Sequence, residues 1–466
     1  MKVFAAKRLL RRALAGLLSA VFAAAGSPAP AAPASAPAAL QIAPMKISER
    51  SLPNGLQLVS VENHASPTVS VQVWYHVGST DDPASRSGFA HLFEHLMFKS
   101  TRHMKNEQFD RLTEDVGGSN NAFTSDDVTV YHEVVPSNHL ETLLWAEAER
   151  MANLNVDEAN FKSERAVVQE EYRQNVLASP YGRFFNAIAA SSYLVHPYKR
   201  PTIGRIEELD AATLADVVAF HRTYYRPDNA TLIVTGDFEP RQLDAWVDRY
   251  FGPVPRPAAP VPRVTLREPA WTGDRTVLVT GPKVPLPALA LTWLAPPVTH
   301  PDTAALRVAA ALLSGGESSR LNQSLVYQHQ LASQAGFEAD LKAGPGLLIA
   351  FAIAADNTPL ARVKTALAAE VQRLARTPVS EVELAKVKTQ LLTQALIARE
   401  TPVGQGMALG DAAVLEGGAA RANQGLVDLQ AVTAADVQRV MQTYTQGPHH
   451  VSLEYRQAAT AEATKE

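Results

Sequence analysis

The chain has 466 residues, 46% of them hydrophobic and 19% charged, and a formal net charge of −4. That length exceeds one ordinary core, so two or more domains are expected, and the balance excludes a chain disordered throughout. No basic run interleaved with aromatics occurs beyond the N-terminus, which excludes nucleic acid as a partner.

Residues 1–26 read as a secretory signal. Lys2, Lys7, Arg8, Arg11 and Arg12 form a basic start, and Ala13 to Ala25 an apolar stretch too short and alanine-rich for a membrane span. An Ala/Pro-rich linker, 27–44, follows. With no cysteine there is neither a disulfide nor a lipid-bearing thiol, so an exported chain depends on its cores alone. The expected location is the bacterial periplasm, with no stable membrane span once the signal is removed.

Asn54-Gly55 is a turn pair, and Leu56 to Val61 and Thr68 to Val77 alternate in strand fashion, which predicts an opening hairpin. The stretch Phe89 to Phe98 comes next and carries the densest chemistry. At about 100° per residue, a helix there puts His91, Glu94 and His95 on one arc and Phe89, Leu92, Phe93 and Leu96 on the other side. Two imidazoles one turn apart can share a metal ion, and a carboxylate between them can reach a water bound to it. The order H-x-x-E-H inverts the commoner H-E-x-x-H. Two His and a Glu on a solvated face are ordinary taken singly; the aromatic at each end and the wholly apolar back argue instead for a ligand-bearing helix pinned by packing.

Asn106 to Asp115 predicts a second amphipathic helix ending at Gly117-Gly118, Asn121 to Val135 a β-rich run, and Ser137 to Met151 and Asp157 to Leu177 further helices. On the last, Glu164 and Glu171 lie two turns apart and share a face to within about 20°, while Glu170 points about 120° away from Glu164. Two acidic side chains on one face are usually just solvated. They matter here because the His91 helix lacks a third ligand.

His91-Leu92-Phe93-Glu94-His95 followed by Glu171, with Glu164 before it, resembles the pitrilysin (M16) family of zinc metallopeptidases, which includes insulin-degrading enzymes and mitochondrial processing peptidase. Gly117-Gly118 before Asn121-Ala122-Phe123-Thr124, then His196-Pro197-Tyr198 and Pro201-Thr202-Ile203-Gly204, follow in the family's order. The likeness runs from about Met45 to Tyr455 and is strongest in the first half. It implies an α+β fold of two homologous domains, each a mostly antiparallel sheet packed with helices, of the short half-molecule type. It also implies one Zn2+ held by His91, His95 and Glu171, with Glu94 as the base that activates water. Glu164 would be a neighbouring catalytic carboxylate orienting a ligand or substrate group. Asn121, Ala122, Phe123 and Thr124 would form an edge strand to which a short or unfolded peptide adds.

An internal repeat points to two similar halves without appeal to the family. Thr213-Leu214-Ala215-Asp216-Val217 and Tyr224 recur at one offset as Thr433-Ala434-Ala435-Asp436-Val437 and Tyr444, each before a final strand, Ala230 to Val234 and His450 to Leu453. Thr-x-x-Asp is also a capping pattern that unrelated helices share; the common offset favours duplication. The expected division is a zinc-binding domain at 45–251, a Pro-rich linker at 252–263, a second domain without a metal site at 264–456 and a tail at 457–466.

In the second half His329, His449 and His450 lack helical ligand spacing with a carboxylate. Family members that complete a site with this half resemble one another in an Arg and, seven residues on, a Tyr after a Ser-Arg-Leu stretch. Ser319-Arg320-Leu321 is present, but the aligned positions are Val326 and Ser333, and Tyr327 is one residue out of place. The resemblance therefore implies a zinc-dependent endopeptidase working as a heterodimer with a homologous subunit that lacks the zinc motif and carries the Arg/Tyr pair. The alternatives are a weak or inactive zinc-binding subunit of such a heterodimer, a peptide-binding module, a hydrolase of something other than peptides, and a homodimer served by Tyr327.

Overall fold

The computed structural model describes residues 42–458. The expected signal, the linker as far as residue 41 and the tail from 459 lie outside the described residues. The first half runs β1 (Ser48–Ser51), β2 (Gln57–Glu62), β3 (Thr68–Tyr75), α1 (Phe89–Leu96), α2 (Gln108–Glu114), β4 (Ser119–Thr124), β5 (Thr129–Pro136), α3 (Leu140–Asn153), α4 (Glu158–Tyr172), α5 (Gly182–Ser192), α6 (Leu214–Tyr224), β6 (Ala230–Gly236) and α7 (Pro240–Tyr250). The second runs β7 (Arg275–Gly281), β8 (Ala288–Ala295), α8 (Thr303–Ser314), β9 (Ala332–Asp340), β10 (Gly346–Ala354), α9 (Leu360–Arg376), α10 (Glu381–Ala398), α11 (Pro402–Gly410), α12 (Arg421–Ala431), α13 (Ala434–Thr445) and β11 (Val451–Gln457).

The Asn54-Gly55 turn joins β1 to β2, with Gly55 at φ 98°, where a side chain would also strike Asp228. The expected hairpin between Leu56–Val61 and Thr68–Val77 does not form. β6 inserts between those strands, parallel to β2 and antiparallel to β3. The reason is burial: all seven residues of β6 are buried, and a strand buried along its length needs a neighbour on each edge.

The sheets are ordered β1-β2-β6-β3-β5-β4 and β7-β11-β8-β10-β9. In each, the last strand of the half lies parallel to its first long strand, and the remaining pairings are antiparallel. β2-β6-β3-β5-β4 is thus repeated as β7-β11-β8-β10-β9, and α1, α3, α4, α5 and α6 correspond in order to α8, α9, α10, α11 and α13. The two Thr-x-x-Asp stretches are capping boxes in both copies, Thr213 with Asp216 and Thr433 with Asp436. The fold is α+β, in two halves of one topology.

The halves exchange a helix. α5 of the first half packs Phe184 and Ile188 on Ala288, Ala290, Leu453 and Tyr455 of the second sheet, and Ser192 Oγ lies 2.8 Å from Thr292 Oγ1. α11 of the second half covers the first sheet: Gln72 Nε2 donates to Val403 O (3.0 Å), Thr235 Oγ1 to Pro402 O (2.6 Å), and Leu409 joins Val59, Trp74 and Ile233. The opposite face of the first sheet carries α1 and α3, where Val69, Val71 and Val73 meet Phe89, Leu92, Phe93, Leu140 and Leu144. No helix among the described residues is long and apolar enough to cross a membrane.

Candidate metal centre

The apolar back of α1 fixes which way its polar arc points. Phe89, Leu92, Phe93 and Leu96 are buried, Phe93 stacks on Phe220, and the Phe93 carbonyl accepts the Tyr131 hydroxyl (3.0 Å). The start of the helix is set by Asp82, whose carboxylate accepts the N–H of Gly88 (2.7 Å) and of Ala90 (2.9 Å). Burial pushes that carboxyl up to about 7. Arg200 donates to the carbonyls of Asp82 (2.7 Å) and Thr80 (2.8 Å), and Gly204 lies so close that a Cβ there would stand 2.5 Å from Ser87 O.

α4 crosses α1 and brings its acidic face to the two imidazoles. Tetrahedral donors at about 2.0–2.2 Å from zinc stand roughly 3.4 Å apart; Nε2 of His91 and of His95 lie 3.5 and 3.6 Å from Glu171 Oε2. One ligand atom from each of the three lies within 4.8 Å of the others, the one such group among the described residues. Burial, and then the neighbouring His95, pull His91 down to about 4, which leaves a neutral imidazole with a lone pair to offer. Burial pulls His95 down as well, but Glu164 and Glu171 outweigh it and bring it up to about 9. Two carboxylates that hold a proton on His95 form a pocket that favours a cation, so the donor set fits a divalent metal. His91 Nδ1 is buried without a hydrogen-bond partner, so packing of α1 orients that ring.

Glu164 is buried behind His95, with Oε2 3.7 Å from His95 Nδ1 and Oε1 2.8 Å from Lys99 Nζ. Glu170 turns outward to Arg173 and Gln174. Glu94 accepts the Thr124 hydroxyl at Oε2 (2.7 Å), and burial raises its pKa against that hydrogen bond. β4 is one edge strand of the first sheet, at the end opposite β1. Ala122 and Thr124 face α1, while Phe123 faces the other way, its ring 5.9 Å from Trp74.

In the second half, Val326 is half-buried on a π-helical turn, Asn322–Gln328, Tyr327 on the same turn is exposed, and the Ser333 hydroxyl donates to the Ile353 carbonyl (3.4 Å). Arg320 is held by Glu383 (2.9 and 2.8 Å). His449 and His450 both face Asp274. Sequence reasoning missed Asp82, Lys99 and the link from Thr124 to Glu94. Asp82 stands six residues before the N-cap Gly88, too far for a capping pattern to mark it, and nothing in the sequence singled out Lys99.

This chain belongs to the insulinase family of peptidases, peptidase family M16: the family's Insulinase (Peptidase family M16) profile matches residues 57–205 and its Peptidase M16 inactive domain profile residues 211–391. Zinc protease PqqE of Helicobacter pylori is 34% identical over 340 residues, 72% of this chain and 76% of that protein. The crystal structure of a protease from Helicobacter pylori superposes with a TM-score of 0.85 at 29% identity, covering 88% of this chain and 99% of that one. The periplasmic protease PqqL from Escherichia coli shares the fold at a TM-score of 0.72 and 20% identity; 89% of this chain matches 48% of that longer one.

Proposed function

We propose that this chain is a zinc-dependent endopeptidase of short or unfolded peptides, exported to the periplasm and working as a heterodimer with a homologous subunit. The observation that carries the reading is the convergence of His91, His95 and Glu171 beside Glu94, one hydrogen bond from the edge strand β4. His91, His95 and Glu171 would hold a zinc ion, which would supply a Lewis acid for the scissile carbonyl and lower the pKa of a bound water to about 7. Glu94 takes the proton of the attacking water on its carboxylate and delivers it to the departing amine nitrogen. Thr124, donating to Oε2, fixes how that carboxylate is turned. Glu164 holds His95 from behind through Nδ1, and the open edge of β4, Asn121 to Thr124, aligns an extended peptide through its backbone.

Three observations support export and pairing. The basic, alanine-rich start has the character of a secretory signal, and the Escherichia coli neighbour is a periplasmic protease. This chain matches 48% of that neighbour's length. Val326 and Ser333 carry no charge where the family offers an Arg and a Tyr, and missing donors toward a developing oxyanion cost about 3 kcal/mol or more.

The test is purified mature chain, alone and with the candidate partner, given zinc and a quenched peptide library. About one zinc per chain is expected by elemental analysis, lost in His91→Ala, His95→Ala and Glu171→Ala and kept in Glu94→Gln, whose cleavage falls at least ~10²-fold. An active Glu94→Gln chain removes the mechanism. Full activity from a pure monomer or homodimer removes the partner, and zinc binding without cleavage in either setting leaves the inactive-subunit reading standing.

A further inference from the structure

The turn from β4 to β5 is where the edge hairpins of the two halves meet. Lys342, in the β9–β10 turn, forms an ion pair with Asp126 and a second one, at 3.1 Å, with Asp340. The Ala343 N–H donates to Asp127 Oδ2 (3.0 Å). Tyr198 donates its hydroxyl to Asp127 Oδ1 (2.6 Å) and accepts the Gly344 N–H (2.8 Å). From the first half, Ser79 N donates to Ser125 O (3.1 Å), Thr80 N to Asp126 O (3.0 Å) and Ser79 Oγ to Asp126 Oδ1 (3.2 Å). Gly78 lies flush beneath, where a Cβ would stand 2.3 Å from Asp126 O.

The tip of an edge hairpin is ordinarily among the loosest parts of a sheet. This one is gripped from two sides, and the Lys342 side chain is only 10% exposed, so its ion pairs are not the weak surface kind. Two residues before Asp126 stands Thr124, the residue that donates to Glu94. Among the described residues the second half contributes nothing to the His91–His95–Glu171 group, yet its hairpin holds the end of the strand that holds the base.

We propose that Lys342, assisted by Tyr198, is a positioning residue: by clamping Asp126 and Asp127 it fixes the end of β4, which keeps Thr124 against Glu94 and the edge strand in line for substrate. The kinetic part rests on the peptidase reading given above; the structural part does not.

The experiment measures amide hydrogen exchange and peptide hydrolysis on the full chain, with its partner for the hydrolysis arm. Lys342→Met is expected to speed exchange across Phe123 to Val128 at least about tenfold, leaving α1 and zinc content unchanged, and Lys342→Arg to restore protection. Hydrolysis by Lys342→Met is expected to fall in kcat by about tenfold, within the hundredfold that an ångström of misplacement costs. In a Thr124→Val background the same change is expected to cost less than about threefold, because both act on one carboxylate. Lys342→Met leaves Asp126 and Asp340 without their cation; if it does not fold, Tyr198→Phe, which deletes one hydroxyl, is read the same way. Unchanged exchange at Phe123 to Val128, or an equal loss of kcat in both backgrounds, overturns the proposal. A wild-type complex that binds zinc and cuts nothing overturns the peptidase reading instead, and the exchange arm still decides the clamp.

Discussion

The first half places His91, Glu94 and His95 on the helix between its central strands and its edge strand. The second half has a helix at the same place, α8, and there Ala310, Ala311 and Ser314 line, with Phe337 of β9 and Leu391 of α10, a cavity of about 630 Å³. The contrast continues below the sites. Between β5 and α3 the first half buries Arg150 completely, with Nε 2.7 Å from Glu147, Nη2 2.9 Å from Glu133, and its guanidinium 4.0 Å from the Phe109 ring centre. At the corresponding place one face of β10 carries Leu348, Ala350 and Ala352 and the buried side of α9 carries Val363, Leu367 and Val371, without a charge. One topology therefore supports an ionic interior with a metal-ready surface and an apolar interior without one. The chemistry resides in a few side chains set on the framework.

The largest expected effect comes from making the first half resemble the second. Arg150→Met leaves Glu133 and Glu147 buried without their cation and should cost about 3–5 kcal/mol in urea unfolding; adding Glu133→Leu and Glu147→Leu should recover much of it. Recovery would show that the triad serves specificity rather than stability. Failure to recover would mean that the halves are less alike than their strand order.

The exchanged helices give the next test. A Cβ on Gly410 would stand 2.0 Å from the Trp74 ring, so Gly410→Ala should destabilise by about 1–3 kcal/mol, whereas Gly425→Ala on α12, with open space around it, should be neutral or stabilising. Differential calorimetry of the two variants decides it.

A third effect appears as a pH slope. The Asp82 carboxyl is raised from 3.8 to about 7 by burial, so the folded state holds its proton longer than the unfolded chain. Its contribution is fully present below about pH 4 and is lost as pH rises through 7. Unfolding free energies of wild type and Asp82→Asn should converge or cross over that window, and parallel curves would contradict the assignment. The smallest effect is symmetric: Thr213→Ala and Thr433→Ala each remove one side of a capping box and should cost about 1 kcal/mol apiece, additively, by denaturant midpoint.

What the sequence showed follows from periodicity. The arc of His91, Glu94 and His95, the shared face of Glu164 and Glu171, and the repeat at Thr213 and Thr433 are all local patterns, and local patterns survive into the fold. The insertion of β6 between β2 and β3 was hidden because alternation marks a strand without naming its neighbours. Nor could an apolar helix face on 182–192 or 402–410 announce that it belongs to the other half's sheet. The Thr124 link to Glu94 depends on how a hairpin end meets a helix about thirty residues away, which no spacing rule encodes.

The reciprocal placement of α5 and α11 also has a bearing on assembly. Once β6 is in place the first sheet has all its strands, but the face holding Val59, Trp74 and Ile233 has no cover until α11 docks. Until then that apolar face can accept an α11 from another copy as readily as its own, and two chains that traded this helix would each be fully packed and joined to the other. Domain swapping through α11 is thus the misassembly that this architecture leaves open, and a high local concentration of the incompletely folded chain favours it.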